Sequence, residues 1–233
     1  MSRYDAYLRS LGPSAWWKLA DAVGSGTALD SSGNGYQGTV NGGVTFGQPG
    51  PLSGIPQVTA AAFDGTSGYS VAPVPASVWT GDFSVIAWVR PTTTPATNAG
   101  AFAVQGGPDT SVGLDFNGLG SLKVDFYLES VASNALVPNA QWTALGFSFT
   151  RSTLGVQLWI NGAADNSGVL GTAPTITSTS AYIAQGIVGN FFPGSIAEVA
   201  IFPYALSAAQ IAALWSPGPL VSGGSGFRQL VTR

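Results

Sequence analysis

The sequence predicts an all-β sandwich of two packed antiparallel sheets, and three observations carry that reading. Short segments with apolar residues at every second position follow one another from Ala15 to Pro203. Four Asn-Gly pairs (Asn34-Gly35, Asn41-Gly42, Asn117-Gly118 and Asn161-Gly162) supply the positive φ angles of tight turns, and Asp64-Gly65 adds another turn. Only 8% of the side chains are charged while 45% are apolar, so the strands are expected to be covered over much of their surface.

In chain order, residues 3–11 (RYDAYLRSL) place Tyr4, Tyr7, Leu8 and Leu11 at helical spacing before Gly12-Pro13. This predicts a short amphipathic helix, either a lid on the domain or a partner-binding element through Tyr4 and Tyr7. Strands are predicted at Ala15–Ala20, Tyr36–Phe46, Ala60–Phe63, Tyr69–Ala72, Asp82–Arg90, Ala101–Gln105, Ser111–Asp115, Leu122–Glu129, Trp142–Phe149, Val156–Ile160, Ala181–Gln185 and Ser195–Pro203. In Asp82–Arg90, Phe83, Val85, Ala87 and Val89 oppose Ser84, Ile86, Trp88 and Arg90. Both faces are mostly apolar, so this strand is expected to be covered on both sides. Ser207–Trp215 reads as a helix that closes the sandwich, with Ser207 as N-cap and Gln210 completing a capping box. After Trp215, PGPLVSGGSGFRQLVTR reads as a linker and an arm. The predicted organisation is an N-terminal helix over residues 1–13, a sandwich domain over 14–216 and a linker with C-terminal arm over 217–233.

Composition excludes several chemistries. With 8 Lys and Arg against 11 Asp and Glu, a net charge of −3 leaves no basic footprint for nucleic acid or an anionic membrane. The chain has no Cys and no His, which removes thiolate nucleophiles, His-based triads and the usual zinc ligands. No apolar run is long enough to span a bilayer, and the start lacks the plan of a secretory signal, so no membrane insertion or export is expected.

The segments WWKLADAVGSGTALDSSGNGYQGTVNGGVTFGQPGP, AAFDGTSGYSVAP, GDFSVIAWVRP, QWTALGFSFTRSTLGVQLWINGAAD and GSIAEVAIFPYALSAAQIAAL occur in that order over about Ala15–Trp215. Together they resemble a laminin-G-like domain of the concanavalin A-like superfamily, which implies a jelly roll. The opening helix running into GPSAWWKL is similar to the start of tailed-bacteriophage structural proteins that carry this domain. That similarity implies a surface protein of the virion, in the head decoration or tail, made in the host cytoplasm. Its partners would be other virion proteins, copies of itself and host or environmental glycans. The alternative reading is a free extracellular carbohydrate-binding module of a polysaccharide-degrading system.

No catalytic residue is predicted. Glycosidases need two carboxyl groups about 5–5.5 or 6.5–9.5 Å apart. Asp125 and Glu129, read on one strand face, fall roughly 13 Å apart at the strand rise. Asp115 and Asp125 pair across the Asn117-Gly118 hairpin as a polar sheet face. No cofactor is required, and calcium is the metal the oxygen-only donor set admits. By position in the resembling family, Asp21 and Glu198 are its candidate ligands, although Ala197 stands where relatives carry Asp. Asp30, before Ser31-Ser32-Gly33, is expected to cap its own turn. Exposed rings are the usual means of stacking on sugars, and Trp79, Phe191 and Phe192 lie in loops that suit such contacts unless they fold inward as plugs. The arm offers Phe227, Arg228, Leu230 and Val231 for docking on a neighbouring subunit, or else is an unstructured end.

Overall fold

The computed structural model describes residues 2–51, 59–107, 110–126 and 128–215. The chain starts with helix α1 (Arg3–Ser10) and continues through strands β1 (Ala15–Trp17), β2 (Thr27–Ala28), β3 (Gly38–Asn41), β4 (Val44–Pro49), β5 (Thr59–Asp64) and β6 (Tyr69–Pro73). A 3-10 turn (Ala76–Trp79) leads to β7 (Phe83–Pro91), β8 (Thr97–Val104), β9 (Val112–Asn117), β10 (Ser121–Asp125) and β11 (Ser130–Leu136). The remainder is β12 (Thr143–Thr150), β13 (Gly155–Ile160), β14 (Ala163–Val169), β15 (Ser180–Ile183), β16 (Pro193–Phe202) and helix α2 (Ala208–Trp215).

These strands form two antiparallel eight-stranded sheets, the jelly-roll sandwich expected from the sequence. The first runs β14-β13-β12-β7-β16-β5-β4, with β1 paired to β16; the second runs β11-β10-β9-β8-β15-β6-β3-β2. Between them lies the main core, in which Phe83, Val85, Ala87 and Val89 of β7 meet Phe102, Leu114, Phe116 and Leu122 of the second sheet. The opposite phase of β7 is covered too. Ile86 joins Trp16, Trp159, Ala200 and Phe202 on the outer face of the first sheet, beneath Tyr4 and Leu8 of α1 and Ile211 and Leu214 of α2. The two-sided apolar pattern of β7 therefore reports a sheet sandwiched between a second sheet and a helical layer.

Both helices are capped as their sequences dictate. The Ser2 hydroxyl accepts from the Asp5 amide and the Asp5 carboxylate accepts from the Ser2 amide, a reciprocal box. The same device holds at α2, where the Ser207 amide donates to Gln210 Oε1 at 2.9 Å and the Gln210 amide to Ser207 Oγ at 3.3 Å. Contrary to the expectation that α2 simply closes the sandwich, it lies beside α1 over the first sheet. Tyr4 is buried there, so α1 acts as a lid and this tyrosine is not free for a partner, while Tyr7 packs at the edge and is half-buried.

The turns divide between hairpins and a sheet crossing. Asn161 and Gly162 both take positive φ, 50° and 82°, and close the β13–β14 hairpin as a type I′ pair requires. Asn41-Gly42 does not make a hairpin: β3 belongs to the second sheet and β4 to the first, so the turn carries the chain from one to the other. A Cβ on Gly42 would come within 2.0 Å of the Ser67 carbonyl oxygen, so only glycine fits that corner. Asp30 does more than cap its own turn. Its carboxylate accepts from the amides of Trp16, Ser32 and Tyr36, tying the loop before β3 to β1.

Candidate ligand-contact face

The outer face of the second sheet is built by the outward phase of β6 and β15. Ser70 and Ala72 of β6, and Ala181 and Ile183 of β15, are buried, which leaves Tyr69, Val71 and Tyr182 on the opposite face. Tyr182 is in register with Val71, so Tyr69 is its diagonal neighbour, within reach of an aromatic ring. The ring centroids lie 6.1 Å apart with planes inclined by 35°. Phe191 adds a third ring, 6.0 Å from Tyr69 and inclined by 43°. All three side chains are half-buried.

The segment 184–192 that delivers Phe191 is held by a dense set of bonds. Ala184 N donates to the Ala101 carbonyl, Phe192 N to that of Ala184, and Gly186 N to that of Asn190. Gln105 Nε2 donates to Gln185 Oε1 at 3.0 Å and to the Gly186 carbonyl at 2.9 Å, while Asn190 Nδ2 reaches the Thr97 carbonyl at 2.8 Å. The loop lies close over the sheet because Gly100 and Gly113 make room: a Cβ on Gly100 would meet Gly186 Cα at 2.4 Å, and one on Gly113 would meet Ile187 Cγ2 at 2.7 Å. Adjacent residues Phe191 and Phe192 then point opposite ways. Phe192 is fully buried, 5.7 Å from the ring of Phe116, and Phe191 faces the tyrosines.

Of the three rings proposed from the sequence as sugar contacts, Phe191 alone lies at this surface. Phe192 is in the core. Trp79 is only 1% exposed, edge-on to Phe83 at 5.3 Å and 6.3 Å from Phe102. Its loop is drawn inward because Arg151 donates to the carbonyls of Trp79 at 2.8 Å and Pro174 at 3.1 Å while lying over Phe149. Tyr69 and Tyr182 were not singled out by the sequence reading. The signal for them was present in YSVAP and SAYI, where a tyrosine occupies the phase opposite small core-facing residues.

On the same outer face, farther along, stand Asp115, Lys123 and Asp125. Lys123 is directly opposite Asp115 in register, bridges Asp125 and also donates to Asn98 Oδ1. Asp115 is fully buried; it accepts from the Ile187 amide at 3.3 Å through Oδ2, while Oδ1 has no hydrogen-bond partner. Burial, reinforced by Asp125, pushes its carboxyl well above the usual carboxylate range. The hairpin thus brings two carboxyl groups onto one face, but Asp115 is covered by the 184–192 loop and Asp125 is only 4% exposed. Glu129 does not share their strand: β10 ends at Asp125, and the Glu129 carboxylate accepts from the amides of Gly171 and Thr172.

The calcium candidates have other partners. Glu198 sits at a bulge in β16 with a φ of 57°, and its Oε2 accepts from Trp16 Nε1 at 2.6 Å beneath α1. Asp21 accepts from the Leu29 amide at 3.1 Å, and burial raises its carboxyl. Among the described residues, no group of three or more acidic side chains is arranged to hold a metal ion. Asp64 instead uses its carboxylate to fold the loop before β6, accepting from the amides of Thr66, Ser67 and Gly68, which holds it far below the usual carboxylate range. Phe227, Arg228, Leu230 and Val231 lie outside the described residues. Among the described residues no helix is long and apolar enough to cross a membrane.

A two-sheet jelly roll with one face under helices and an aromatic group on the other defines the class of this molecule. Residues 64–212 match a laminin G family model described as the concanavalin A-like lectin/glucanases superfamily, and the chain belongs to that superfamily. Among solved structures it is similar to domain 4 of AbnA, a GH43 extracellular arabinanase from Geobacillus stearothermophilus, in complex with arabinotriose. The identity is 23%, the coverage 88% of this chain and 98% of that one, and the TM-score 0.68. It is also similar to the receptor binding domain of botulinum neurotoxin C/D mosaic serotype, at 12% identity, with 90% and 52% covered and a TM-score of 0.64. A third is the sialidase of Trypanosoma rangeli, at 15% identity, with 88% and 32% covered and a TM-score of 0.64. The chain spans about half the length of the toxin domain and a third of the sialidase, and at these identities the likeness is one of fold. Comparison with curated protein sequences finds no match.

Proposed function

We propose that the chain is a non-catalytic recognition module that binds glycans through Tyr69, Tyr182 and Phe191. The observation that carries this reading is the three-ring group itself. Three aromatic faces are gathered on a pinned sheet surface with access to solvent, whereas Trp16, Trp17, Trp79 and Phe192 are committed to the interior and the half-buried Tyr7, Trp88, Tyr204 and Trp215 pack into the helical layer over the first sheet. The closed environment of Asp115 and Asp125 supports binding without hydrolysis. The solved relatives named above include a domain holding arabinotriose and a receptor binding domain, which fits the same reading.

The test is migration of the full chain in native gels containing soluble polysaccharide. Wild type is expected to be retarded, and Tyr69→Ala and Tyr182→Ala to weaken binding roughly tenfold each while their melting temperatures change little, since each ring is half-buried. Retardation that survives both substitutions would place the contact elsewhere.

As to where the module is carried, we propose a surface component of a tailed-phage virion, on the resemblance of the segment ahead of β1. The second reading, a module of a polysaccharide-degrading system, is favoured by the 98% coverage of the arabinanase domain. Light scattering distinguishes them. The virion reading predicts that the full chain forms a defined oligomer and that a chain ending at Trp215 does not; two monomers favour the second.

A further inference from the structure

We infer that the ring group takes a neutral, soluble oligosaccharide chain and discriminates against acidic glycans; this rests on the reading that Tyr69, Tyr182 and Phe191 form the contact face. Acidic sugars are held by cationic side chains that meet a carboxylate or sulfate directly. Six cations are described, and none is available at these rings. Arg3, Arg9 and Lys18 belong to α1 and to the segment after β1, on the opposite side of the sandwich; Arg9 and Lys18 lie over the Trp16 ring, and Lys18 pairs with Asp5 at 2.7 Å. Arg90 donates to the Ala140 carbonyl, and Arg151 to those of Trp79, Gly81 and Pro174.

Lys123 is the one described cation on the outer face of the second sheet. It stands on β10, three strands from β15, which places it on the order of 14 Å from the strand of Tyr182. There it is bridged to Asp125, with Asp115 beside it, so that end of the face is neutral to negative. An anionic sugar on the rings would lose hydration with no counter-charge among the described residues to replace it. Hydroxyl groups meet a different surface. The phenol oxygens of Tyr69 and Tyr182 make no hydrogen bond to any described residue, so both can donate to and accept from sugar hydroxyls. The planes, inclined by 35° and 43°, cannot all lie flat against a crystalline polysaccharide surface, whereas a single soluble chain can follow them.

Calorimetry on the full chain tests this, with arabinotriose, xylotetraose and cellotetraose as neutral probes and trigalacturonate as the acidic one, at low and high salt. Binding is expected for neutral probes only, with affinity constant within about twofold across the salt range and roughly tenfold weaker in Tyr182→Ala. Tyr182→Phe, which keeps the ring, is expected to retain most of the affinity. Trigalacturonate bound more tightly than the neutral probes, weakened by salt and lost in Tyr182→Ala, would overturn the inference while leaving the contact face intact. Failure of every probe, or neutral binding unchanged in Tyr182→Ala, would overturn the contact face and the inference with it.

Discussion

Replacing Trp79 with alanine is expected to destabilise the fold by about 3–5 kcal/mol, lowering the melting temperature by on the order of 10 °C. The indole fills the space between Phe83 and Phe102 at one end of the sandwich, and its removal leaves a cavity that two sheets cannot collapse around. The neighbourhood is braced from outside by Arg151, whose guanidinium holds the carbonyls of Trp79 and Pro174 in place. The cavity is therefore expected to persist, putting the cost toward the upper end of the range. Thermal unfolding followed by circular dichroism measures this. Trp79→Phe, which keeps an aromatic body, should recover much of the loss. A variant that melts like wild type but binds sugar poorly would instead return Trp79 to the surface.

The second large effect concerns Glu198. Burial, only partly offset by the Trp16 hydrogen bond and by Lys18, raises its carboxyl from 4.5 to about 8. Below pH 4.5 the folded and unfolded chains both hold this proton, so Glu198 contributes no pH dependence. Between 4.5 and about 8 the unfolded chain has released it and the folded chain has not, so stability falls by up to about 1.4 kcal/mol per pH unit. Above 8 both states are ionised and the effect levels off. Glu198→Gln keeps an acceptor for Trp16 Nε1 and has no proton to lose. Its stability is expected to be close to wild type near pH 4.5 and higher by a few kcal/mol at pH 9. The raised carboxyls of Asp115 and Asp21 act in the same direction in both proteins, and the lowered one of Asp64 acts only in acid, so the difference between the two unfolding profiles isolates Glu198. Parallel profiles would show that Glu198 is ionised in the fold.

Asp5 has the opposite sign: burial pushes its carboxyl up, but the bonds from Lys18 and Ser2 outweigh that and leave it lowered, so its contribution is lost only as pH falls below 3.8. The lid helix thus carries a charge pair at its rim, Asp5 with Lys18, and covers the carboxyl of Glu198 with its bond from Trp16. Such an arrangement suits a helix whose role is to cover the first sheet.

What the sequence shows follows from where its physics is local. The period of Asp82–Arg90, the capping box at Ser207 and the turn chemistry of Asp30 and Asn161-Gly162 are decided by residues a few positions apart, and the structure bears them out. Strands β11 and β14 escape the same reading because SVASNAL and AADNSGV are edge strands rich in small polar residues, with little apolar alternation to detect. Position in a loop left Trp79 and Phe192 as either rim contacts or inward plugs, and packing across the sandwich, which no local pattern shows, puts both in the core. The grouping of the rings on the candidate face escapes for a different reason, although the outward phase of each tyrosine is visible locally. Tyr69 and Tyr182 become neighbours only through the pairing of β6 with β15, a long-range register that no local pattern encodes.

The most direct measurement of the central claim is an amide chemical-shift map of the isotopically labelled chain as arabinotriose is added to saturation. Perturbations are expected to gather on β6, β15 and the 184–192 loop, around Tyr69, Tyr182 and Phe191, with the helices over the first sheet unmoved. Perturbations confined to the helical face, or to the end of the sandwich near Trp79, would contradict that claim.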